Sequence, residues 1–339
     1  MKDEATAPPS ARVLQMMMGS WVSQILGVCS RLGVADLISD GVSSSDAIAE
    51  KCGSDPEATY RLLRAGAAVG LFSEEAERKF HLTPLGECIR TNTPGSLRDL
   101  IVAETAPGHW LPWGRLYDVV MRGASVASDT LGMGTWEYYA AHPEEAQWFA
   151  RGMGNLSAMV SEDVARLYDA SDRRSIVDVG GSQGVLLTGL LRQGGQARGI
   201  LFDRPEVIQQ ARAVVEASPL RDRIALVEGD FFSSIPAGAD LYVLKSILHD
   251  WPDGECERIL RNVHAAAAPG ANLLIVEMIV PEEPQPSPVA LMDMNMLVML
   301  NGRERTAGDF EKLLNATGFS LVRILQTSGL FALIEGRRV

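Results

Sequence analysis

The segment that most constrains the fold is I-V-D-V-G-G-S-Q-G at residues 176–184, where an apolar run ends in two glycines. The residues that follow, V-L-L-T-G-L-L, predict a helix whose apolar side chains pack onto a sheet. In α/β folds, a strand, a tight glycine turn and a helix in this order bring the backbone close to a nucleotide-like ligand. We therefore expect the ligand site to lie where this strand ends.

From residue 173 onward, strand patterns alternate with helical patterns. We predict strands at residues 175–179, 198–202, 224–228, 240–246, 272–279, 319–326 and 330–335, and helices at 184–193, 205–217, 253–268 and 306–317. This alternation is typical of an α/β fold, here a Rossmann-like seven-stranded sheet with helices on both faces. Because only Ser328 and Gly329 separate the last two strands, we expect them to form a hairpin that makes one edge strand antiparallel.

The spacing of the glycines indicates which kind of nucleoside binds. A dinucleotide-binding turn has glycines at its first, third and sixth positions, which Gly180, Ser182 and Val185 occupy here. The turn also lacks a Lys or Arg to face a pyrophosphate. Asp203 ends the second strand, where a carboxylate can hold both ribose hydroxyls, although it could also cap the helix that begins at Pro205. We interpret this as a site for a nucleoside without phosphates, of which S-adenosylmethionine is the commonest.

The N-terminal part of the chain is predicted to be helical with an apolar surface. After a loose tail at residues 1–10, apolar residues recur at helical spacing over residues 13–37. We expect a second subunit to cover this surface, with packing inside one subunit as the alternative. Residues 42–90 predict short helices and a small hairpin, an arrangement similar to a winged helix.

Winged helices often bind DNA, but the charge of this one argues against it. Residues 41–90 hold 6 Lys/Arg and 8 Asp/Glu, and the whole chain carries a net charge of −12. A DNA-binding surface needs clustered Lys and Arg. We therefore expect no nucleic-acid partner and predict a dimerisation or substrate-lid role for these residues.

The cysteines and the N-terminus indicate a cytoplasmic protein. The four cysteines are widely spaced and form no C-x-x-C pair, which favours reduced thiols over a disulfide frame or a zinc site. The N-terminus lacks the apolar core of a signal peptide. No run approaches the ~18 apolar residues that span a bilayer, so we expect no membrane partner.

Residues 94–168 are predicted to be mostly helical and contain four of the six tryptophans. Aromatic side chains of this kind pack in a core or line a pocket for a flat ligand, and both interpretations stay open. Trp110 is one candidate for the pocket. A helix that begins at Pro143 carries Met153 and Asn155, and it leads into the nucleotide domain. We therefore predict that both contact the substrate.

Two more strands end in residues suited to a ligand. G-D-F-F follows the third strand, where Asp230 can accept a hydrogen bond from adenine and Phe231 can stack on its ring. A simple turn role is the alternative for Asp230. L-K-S-I-L-H-D-W-P-D ends the fourth strand, and its His249 is the only histidine at a strand tip. We predict that His249 is a general base and that Asp250 beside it contacts substrate.

Further acidic residues are candidates for the same site. Glu277 interrupts the apolar strand L-L-I-V-E-M-I-V, where a carboxylate must be paired or neutral. Glu304 precedes a helix and is either a loop charge or a second carboxylate beside the histidine. Asp293 is a weaker candidate, because it lies with Met296 on a methionine-rich helix that could line the substrate pocket.

A metal site is a competing interpretation of the acidic residues near the fourth strand. His249, Asp250 and Asp253 carry ligand groups that a divalent cation could use. The sequence contains no ligand cluster of the usual spacing around them. We therefore expect a site without a metal.

Four segments occur in a characteristic order: V-D-V-G-G-S-Q-G, G-D-F-F, L-K-S-I-L-H-D-W and N-G-R-E-R-T. In order and spacing, nearly the whole chain resembles the S-adenosylmethionine-dependent small-molecule O-methyltransferases of bacterial secondary metabolism and plant phenolics. The resemblance implies that His249 is the base, that Glu277 and Glu304 flank it, and that no metal takes part. One position departs from the family, since Ser182 stands where a third glycine is usual.

The resemblance also implies which residues hold S-adenosylmethionine: Gly180, Asp203, Asp230, Phe231 and Lys245. It implies a homodimer formed through the N-terminal domain. We expect a winged-helix dimerisation domain at residues 1–100, a helical linker and substrate lid at 101–168, and a catalytic Rossmann-like domain at 169–339.

The expected reaction is in-line transfer of a methyl group to a hydroxyl of an aromatic, polycyclic secondary metabolite of polyketide or phenazine type. Methionines and tryptophans that suit a broad, flat pocket support this acceptor class. One alternative is another enzyme activity on the same scaffold, either N- or C-methylation or a repurposed decarboxylation or hydroxylation. A non-catalytic regulator that binds a small aromatic ligand is the other, and it would need a basic face that residues 42–90 lack.

Overall fold

The computed structural model describes residues 8–193 and 195–339. The chain forms two compact units. One contains the residues up to Trp110 together with Glu144–Asn155, and the other contains Leu111–Pro143 and Leu156–Val339. The division into three parts at residues 100 and 168 stays a prediction.

The first unit begins with seven helices and a two-stranded hairpin. The helices are α1 Pro9–Met17, α2 Gly19–Arg31, α3 Val34–Ser39, α4 Ser45–Cys52, α5 Pro56–Ala68, α6 Pro84–Glu87 and α7 Arg98–Thr105; the antiparallel hairpin strands are β1 Phe72–Glu75 and β2 Lys79–Leu82. Side-chain caps start three of them, since Ser44 accepts from Ala47 N–H, Asp55 from Ala58 N–H and Thr83 from Gly86 N–H. Helices α2 to α5 and the hairpin share one buried core that includes Leu63.

The N-terminal helices α1 and α2 expose an apolar surface. It is formed by Val13, Leu14, Met16, Met17 and Trp21, of which Met16 is 72% exposed. By length and composition alone, Pro9–Arg31 could also cross a membrane. The predicted tail at residues 1–10 overlaps α1 from Pro9 on, and residues 1–7 lie outside the described part of the chain.

Five further helices connect the hairpin region to the sheet. They are α8 Pro107–Trp113, α9 Leu116–Arg122, α10 Ala127–Leu131, α11 Thr135–Ala141 and the 25-residue α12 Pro143–Leu167. Pro143 occupies the first position of α12, where its missing N–H costs no hydrogen bond. The predicted helical region at residues 94–168 is confirmed.

The second unit is built on a seven-stranded mixed sheet. Its strands are β3 Ser175–Val179, β4 Arg198–Asp203, β5 Ile224–Glu228, β6 Leu241–Lys245, β7 Asn272–Met278, β8 Phe319–Gln326 and β9 Phe331–Arg338. The helices between them are α13 Val185–Leu191, α14 Pro205–Glu216, α15 Asp253–Ala266, α16 Val289–Leu300 and α17 Ala307–Ala316. The spatial order is β5-β4-β3-β6-β7-β9-β8, so the predicted α/β fold is confirmed.

The C-terminal hairpin is also confirmed, with one correction to its direction. β9 pairs antiparallel with both β7 and β8, so it is the reversed strand. It lies one position inside the edge, and the edge strand β8 runs in the same direction as β7. The order arises because the chain passes to the edge first and then returns between its neighbours.

Both faces of the sheet are buried, which explains the nearly continuous apolar strands. On β6, Tyr242 and Leu244 belong to one core cluster, while Leu241 and Val243 belong to the other. Helices α15 and α17 contribute to the first cluster, and α12, α13 and α14 to the second. Because parallel strands end at one edge, the carboxyl ends of β3, β4 and β6 gather the site residues.

Candidate active site

The glycine turn after β3 has the backbone conformation that its residues suggest. Gly180 has a φ of +68° and Gly184 a φ of +71°, both in the left-handed region that favours glycine. A Cβ at Gly180 would lie 2.4 Å from Cδ1 of Ile247, and one at Gly181 would lie 2.6 Å from Cγ of Asp178. The turn is therefore packed tightly against the segments beneath it, as a close-approach loop requires.

Ser182 departs from the family pattern at a position that needs a left-handed residue. Its φ is +51°, which costs a residue with a side chain about 1–2 kcal/mol. Its backbone N–H donates to Oδ2 of Asp203 at 2.8 Å, which helps to hold it there. The glycine usual in the family would avoid this strain, while the serine keeps the same hydrogen bond.

Asp203 ends β4 directly beside this turn. Its Oδ2 accepts from Ser182 N–H and its Oδ1 accepts from Arg204 N–H at 2.8 Å. The alternative that it caps α14 is wrong, because Arg204 is the N-cap residue and no side chain caps that helix. A carboxylate has about four acceptor sites, so two remain for ligand hydroxyls. Burial raises the pKa of this carboxyl group.

Asp230 and Phe231 follow β5. Oδ1 of Asp230 accepts from Phe232 N–H at 2.8 Å, so this exposed residue does form a turn. Phe231 lies near the glycine turn, since a Cβ at Gly180 would be 3.8 Å from its Cε1. Phe231 and Phe232 pack edge-to-face with Trp251, at centroid distances of 6.3 and 4.7 Å. This aromatic cluster offers a flat apolar surface next to the turn.

Lys245 and Asp178 form a buried polar layer below the turn. Asp178 is 2% exposed, and in the described part of the chain its Oδ2 has no hydrogen-bond partner. Burial, together with the charge of Asp203, raises the pKa of Asp178 to about 7. Burial lowers the pKa of Lys245, and the negative charges of Glu277 and Asp178 raise it by a smaller amount. The sequence analysis missed Asp178, although a carboxylate inside an apolar strand is the signal that identified Glu277.

His249 lies in a short 3₁₀ turn, Leu248–Asp250, that follows β6. Its Nδ1 lies 2.8 Å from Oε1 of Glu304 and its Nε2 lies 3.4 Å from Oδ1 of Asp250. The hydrogen bond to Glu304 makes Nδ1 the protonated nitrogen of the neutral ring. Nε2 is then the nitrogen that can accept a proton.

Glu277 holds the backbone of this turn. Its Oε1 accepts from Ile247 N–H at 2.9 Å and from Leu248 N–H at 3.0 Å, while its Oε2 lies 3.7 Å from Nδ1 of His249. The two predicted acids therefore have different geometry. Glu304 is hydrogen-bonded to the imidazole, whereas Glu277 contacts the peptide groups that lead into it.

The charges in this cluster are strongly coupled. Burial alone would lower the pKa of His249, but the charges of Glu277 and Asp250 and the hydrogen bond that Nδ1 donates to Glu304 raise it to about 10. Burial raises the pKa of Asp250 to about 7 and also raises the pKa of Glu277. In both cases the positive charge of His249 lowers the pKa, but by less than burial raises it. The imidazole of His249 and the carboxyl groups of Asp250 and Glu277 therefore retain protons at pH values where the isolated groups would lose them.

Asp293 and Met296 on α16 lie near the Glu304 segment. Oδ1 of Asp293 accepts from Glu304 N–H at 2.9 Å, so it supports the residue that contacts His249. Met296 is 6% exposed and packs in the core. The predicted substrate contacts of both residues stay predictions.

The other predicted substrate residues belong to the first unit. Trp110 is half-buried, and Met153 is half-buried on α12. Nδ2 of Asn155 donates to Ser96 O at 2.9 Å. Their substrate role also stays a prediction.

His249, Glu277 and Glu304 each offer one potential metal-ligand atom, and these three atoms lie within 4.8 Å of one another, so they could hold a cation. The alternative metal set of His249, Asp250 and Asp253 does not assemble, because the Asp253 carboxylate pairs with Arg303 and Arg305. The 2.8 Å contact between Nδ1 and Glu304 is a hydrogen-bond distance, which satisfies the imidazole without an ion.

Two family models match this chain. The O-methyltransferase domain matches residues 113–320, and the O-methyltransferase dimerisation domain matches residues 14–92. The second match covers most of the apolar surface of α1 and α2. Most of this exposed surface therefore lies within the family's dimerisation domain.

Among curated relatives, a phenazine O-methyltransferase of Lysobacter antibioticus is 36% identical over 98% of this chain and 97% of its own length. An 8-amino-8-demethylriboflavin N,N-dimethyltransferase of Streptomyces davaonensis is 30% identical over 99% of both chains. Matches of this length show the family.

Solved structures match over nearly the full length as well. The crystal structure of LaPhzM gives a TM-score of 0.94 at 36% identity and covers 98% of this chain and 100% of its own. Human N-acetylserotonin methyltransferase in complex with S-adenosylmethionine gives 0.89 at 26% identity over 99% of both chains. The glycine turn, which carries no Lys or Arg to face a phosphate, and the partly buried carboxylate of Asp203 fit this cofactor. The chain is therefore a member of the S-adenosylmethionine-dependent O-methyltransferase family, with the family's dimerisation domain at its N-terminal end.

Proposed function

We propose that this chain transfers the methyl group of S-adenosylmethionine to a hydroxyl of a planar aromatic acceptor, with Nε2 of His249 as the general base. The observation that carries the proposal is the geometry of His249 at the exit of β6. Its Nδ1 is engaged by Glu304 at 2.8 Å, which leaves Nε2 to take a proton. Asp250, at 3.4 Å from Nε2, is suited to share the acceptor hydroxyl.

The cofactor-binding roles follow from the geometry around the glycine turn. Asp203 binds the ribose hydroxyls with its two remaining acceptor sites. Phe231 and Trp251 provide the surface for the adenine ring, and Asp230 stands at its edge. Lys245 and the unpaired Oδ2 of Asp178 are suited to the charged groups of the methionyl part. When bound, the cofactor supplies an electrophilic methyl group, so the protein provides alignment and a base.

The raised pKa of His249 changes the energetics of proton removal. A phenol has a pKa near ~10, about 3.5 units above an ordinary histidine, which would make prior proton transfer cost roughly 5 kcal/mol. With the pKa of His249 at about 10, that transfer is close to balanced. The same shift leaves little neutral imidazole at pH 7. A higher pKa therefore makes His249 a stronger base, but it lowers the fraction of protein molecules in which the imidazole is neutral and able to accept a proton.

The acceptor class rests on the relatives. The Lysobacter relative is named for O-methylation of phenazines, which supports a flat polycyclic acceptor that carries a hydroxyl. The Streptomyces davaonensis relative is named as an N,N-dimethyltransferase and supports N-methylation as the second candidate. A hydroxyl benefits from a base during transfer, whereas a neutral aromatic amine can lose its proton afterwards. The hydrogen-bonded pair of His249 and Glu304 favours the hydroxyl.

A product screen tests the function directly. The protein is incubated with S-adenosylmethionine and a panel of hydroxylated phenazines, naphthols and N-hydroxy heterocycles, each matched with its amino analogue. We expect a mass increase of one methyl group on hydroxylated members, with the same yield after treatment with EDTA. Methylation of amino analogues alone would replace the proposal by N-methylation, and binding of S-adenosylhomocysteine without any product would favour a regulator.

The pH dependence follows from the sign of the His249 shift. Because its pKa in the folded protein is raised to about 10, the neutral form becomes more abundant as pH rises towards that value. We expect kcat/KM for a phenolic acceptor to increase by up to roughly tenfold per pH unit above pH 7, so that its acidic limb lies well alkaline of ~6.5. An acidic limb at or below pH 6.5 would contradict the raised pKa.

We also propose that the protein is a homodimer formed through α1 and α2. The apolar surface that includes Met16 and Trp21 lies in or next to the dimerisation domain and is large enough to need a partner. Light scattering at micromolar concentration is expected to give twice the mass of one chain. Trp21→Glu, which puts a charge into that surface, is expected to give the mass of a single chain. A single-chain mass for the wild type would reject the dimer.

A further inference from the structure

Arg305 is a fully buried arginine that none of the proposed chemical steps uses. It is 1% exposed and is among the largest buried side chains of the described residues. Its Nη1 donates to Leu248 O at 2.8 Å and its Nη2 donates to Trp251 O at 2.8 Å. Its Nε and Nη2 both donate to Oδ1 of Asp253, at 3.0 and 2.8 Å.

These acceptors bracket His249 in the chain. Leu248 and Trp251 stand at the two ends of the short turn that carries it, so the guanidinium spans the turn from one side to the other. A planar guanidinium holds several acceptors in a fixed relation, which a lysine ammonium cannot do. The turn therefore has Arg305 on its carbonyl side and Glu277 on its N–H side.

The same segment that contains Arg305 delivers Glu304 to the imidazole. A Cβ at Gly302 would lie 1.9 Å from the carbonyl oxygen of His249, so only glycine allows this contact. Arg303 N–H donates to that carbonyl oxygen at 2.9 Å. Asp293 accepts from Glu304 N–H on the other side. Residues 302–305 and 248–251 thus form one hydrogen-bonded assembly around the His249–Glu304 contact.

Burying a charged group is costly, and an apolar side chain of similar volume often stabilises a fold as well or better. The Asp253 carboxylate that pairs with Arg305 is also paired with the exposed Arg303, so Asp253 does not depend on the buried arginine. The specific gain from Arg305 is the fixed spacing of two carbonyls next to the predicted base.

We propose that Arg305 is a positioning residue for methyl transfer: it fixes the turn that carries His249 at hydrogen-bond distance from Glu304. The proposal rests on the proposed role of His249 as base. It assigns a task to the second arginine of N-G-R-E-R-T, and it predicts that this arginine acts on the chemical step and not on cofactor binding.

The test compares Arg305→Met and Arg305→Lys with Arg303→Met. Arg303 is a matched control, because it lies on the same segment and pairs with the same Asp253. Its side chain is 46% exposed, and among the described residues its guanidinium hydrogen-bonds to Asp253 and not to the His249 turn. Four quantities are measured: kcat and KM on the acceptor found by the screen, the Kd of S-adenosylhomocysteine by calorimetry, and the pKa of His249. The pKa comes from an NMR titration of ¹⁵N-histidine protein, with the signal assigned by its loss in His249→Gln.

We expect Arg305→Met to lower kcat by ~10²-fold, because a displacement of about 1 Å at the reacting groups has that effect. The Kd of S-adenosylhomocysteine should stay within about threefold of the wild-type value. The same is expected for Arg303→Met, which removes only an exposed ion pair. The pKa of His249 should fall below that of the wild type, because the hydrogen bond to Glu304 is one of the interactions that raise it, while the charges of Glu277 and Asp250 remain. Arg305→Lys should change the same quantities in the same direction by less.

Three results would overturn the proposal. One is a kcat and a His249 pKa in Arg305→Met that match Arg303→Met. Another is a loss of kcat in Arg305→Met together with an equal loss of affinity for S-adenosylhomocysteine. A third is that neither Arg305 variant folds well enough to bind S-adenosylhomocysteine. Both of these results would mean that the arginine stabilises the fold and does not position His249. If His249→Ala itself keeps full activity, the proposed base is wrong instead, so the two failures can be told apart.

Discussion

His249→Ala is expected to lower kcat on a phenol with a pKa near ~10 by ~10²-fold or more. The loss arises because Asp250, the acceptor next to Nε2, has a pKa of about 7 against about 10 for His249 and is therefore a weaker base for the phenol proton. The Kd of S-adenosylhomocysteine should stay unchanged, since the imidazole contacts Glu304 and Asp250 and not the glycine turn. Single-turnover kinetics and calorimetry on the same preparation measure the two quantities.

The acidity of the acceptor provides an internal control for this variant. An N-hydroxy acceptor or a vinylogous acid loses its proton without help, so the same substitution should cost much less on it. His81→Ala removes an exposed histidine of the hairpin, whose Nε2 pairs with Glu75, and should change neither quantity. Near-normal turnover of the ordinary phenol by His249→Ala would reject the base.

Asp203→Ala is expected to weaken binding of S-adenosylhomocysteine by ~10²-fold or more. The substitution removes the acceptor of two hydrogen bonds that the ribose hydroxyls are expected to donate, each of which contributes about 1.5–3 kcal/mol when the acceptor is charged. It also removes the acceptor for Ser182 N–H, which lies 2.8 Å from Oδ2, so the glycine turn loses a second support. Calorimetry measures the affinity, and KM for S-adenosylmethionine should rise in parallel.

A neighbouring acid controls for the loss of charge. Glu228 ends β5 and lies opposite Asp203 in the register of the two strands, but its side chain is exposed. Glu228→Ala removes the same charge at the same edge of the sheet and should leave the affinity within about threefold. Equal effects of Glu228→Ala and Asp203→Ala would mean that general electrostatics, and not a ribose contact, explains the binding.

The fold of the second unit was largely predictable because strong local patterns coincide there. Apolar strands alternate with helices, and the predicted boundaries of β3, β5 and β8 agree with the structure. The direction of β9 within the sheet was harder to predict. The Ser328–Gly329 turn fixes the hairpin, but whether its second strand lies outside or inside the first depends on contacts with β7 that no local pattern encodes.

The candidate site was predictable where residue type conflicts with its surroundings. Glu277 inside an apolar strand and His249 at a strand tip are such conflicts, and the structure brings both into one cluster with Glu304. The division of labour between the two acids was not predictable. It depends on which of the two glutamates accepts from the backbone of Ile247 and Leu248 and which one accepts from the imidazole ring.

Other features of the site give weak sequence signals. Asp178 is preceded by Val177 and followed by Val179, and a search for buried charges would have found it. Arg305 lies in a charged loop, where an arginine is normally solvated, so nothing local predicts its burial. Its partners are two backbone carbonyls about fifty residues away in the chain, which only the folded structure brings together.

A crystal structure of the protein with S-adenosylhomocysteine and an acceptor from the screen tests the central claim most directly. The account predicts the ribose hydroxyls within hydrogen-bond distance of the Asp203 carboxylate. It also predicts the acceptor oxygen within about 3.2 Å of Nε2 of His249, on the side away from Glu304. A ribose held elsewhere, or an imidazole that faces away from the acceptor oxygen, would contradict it.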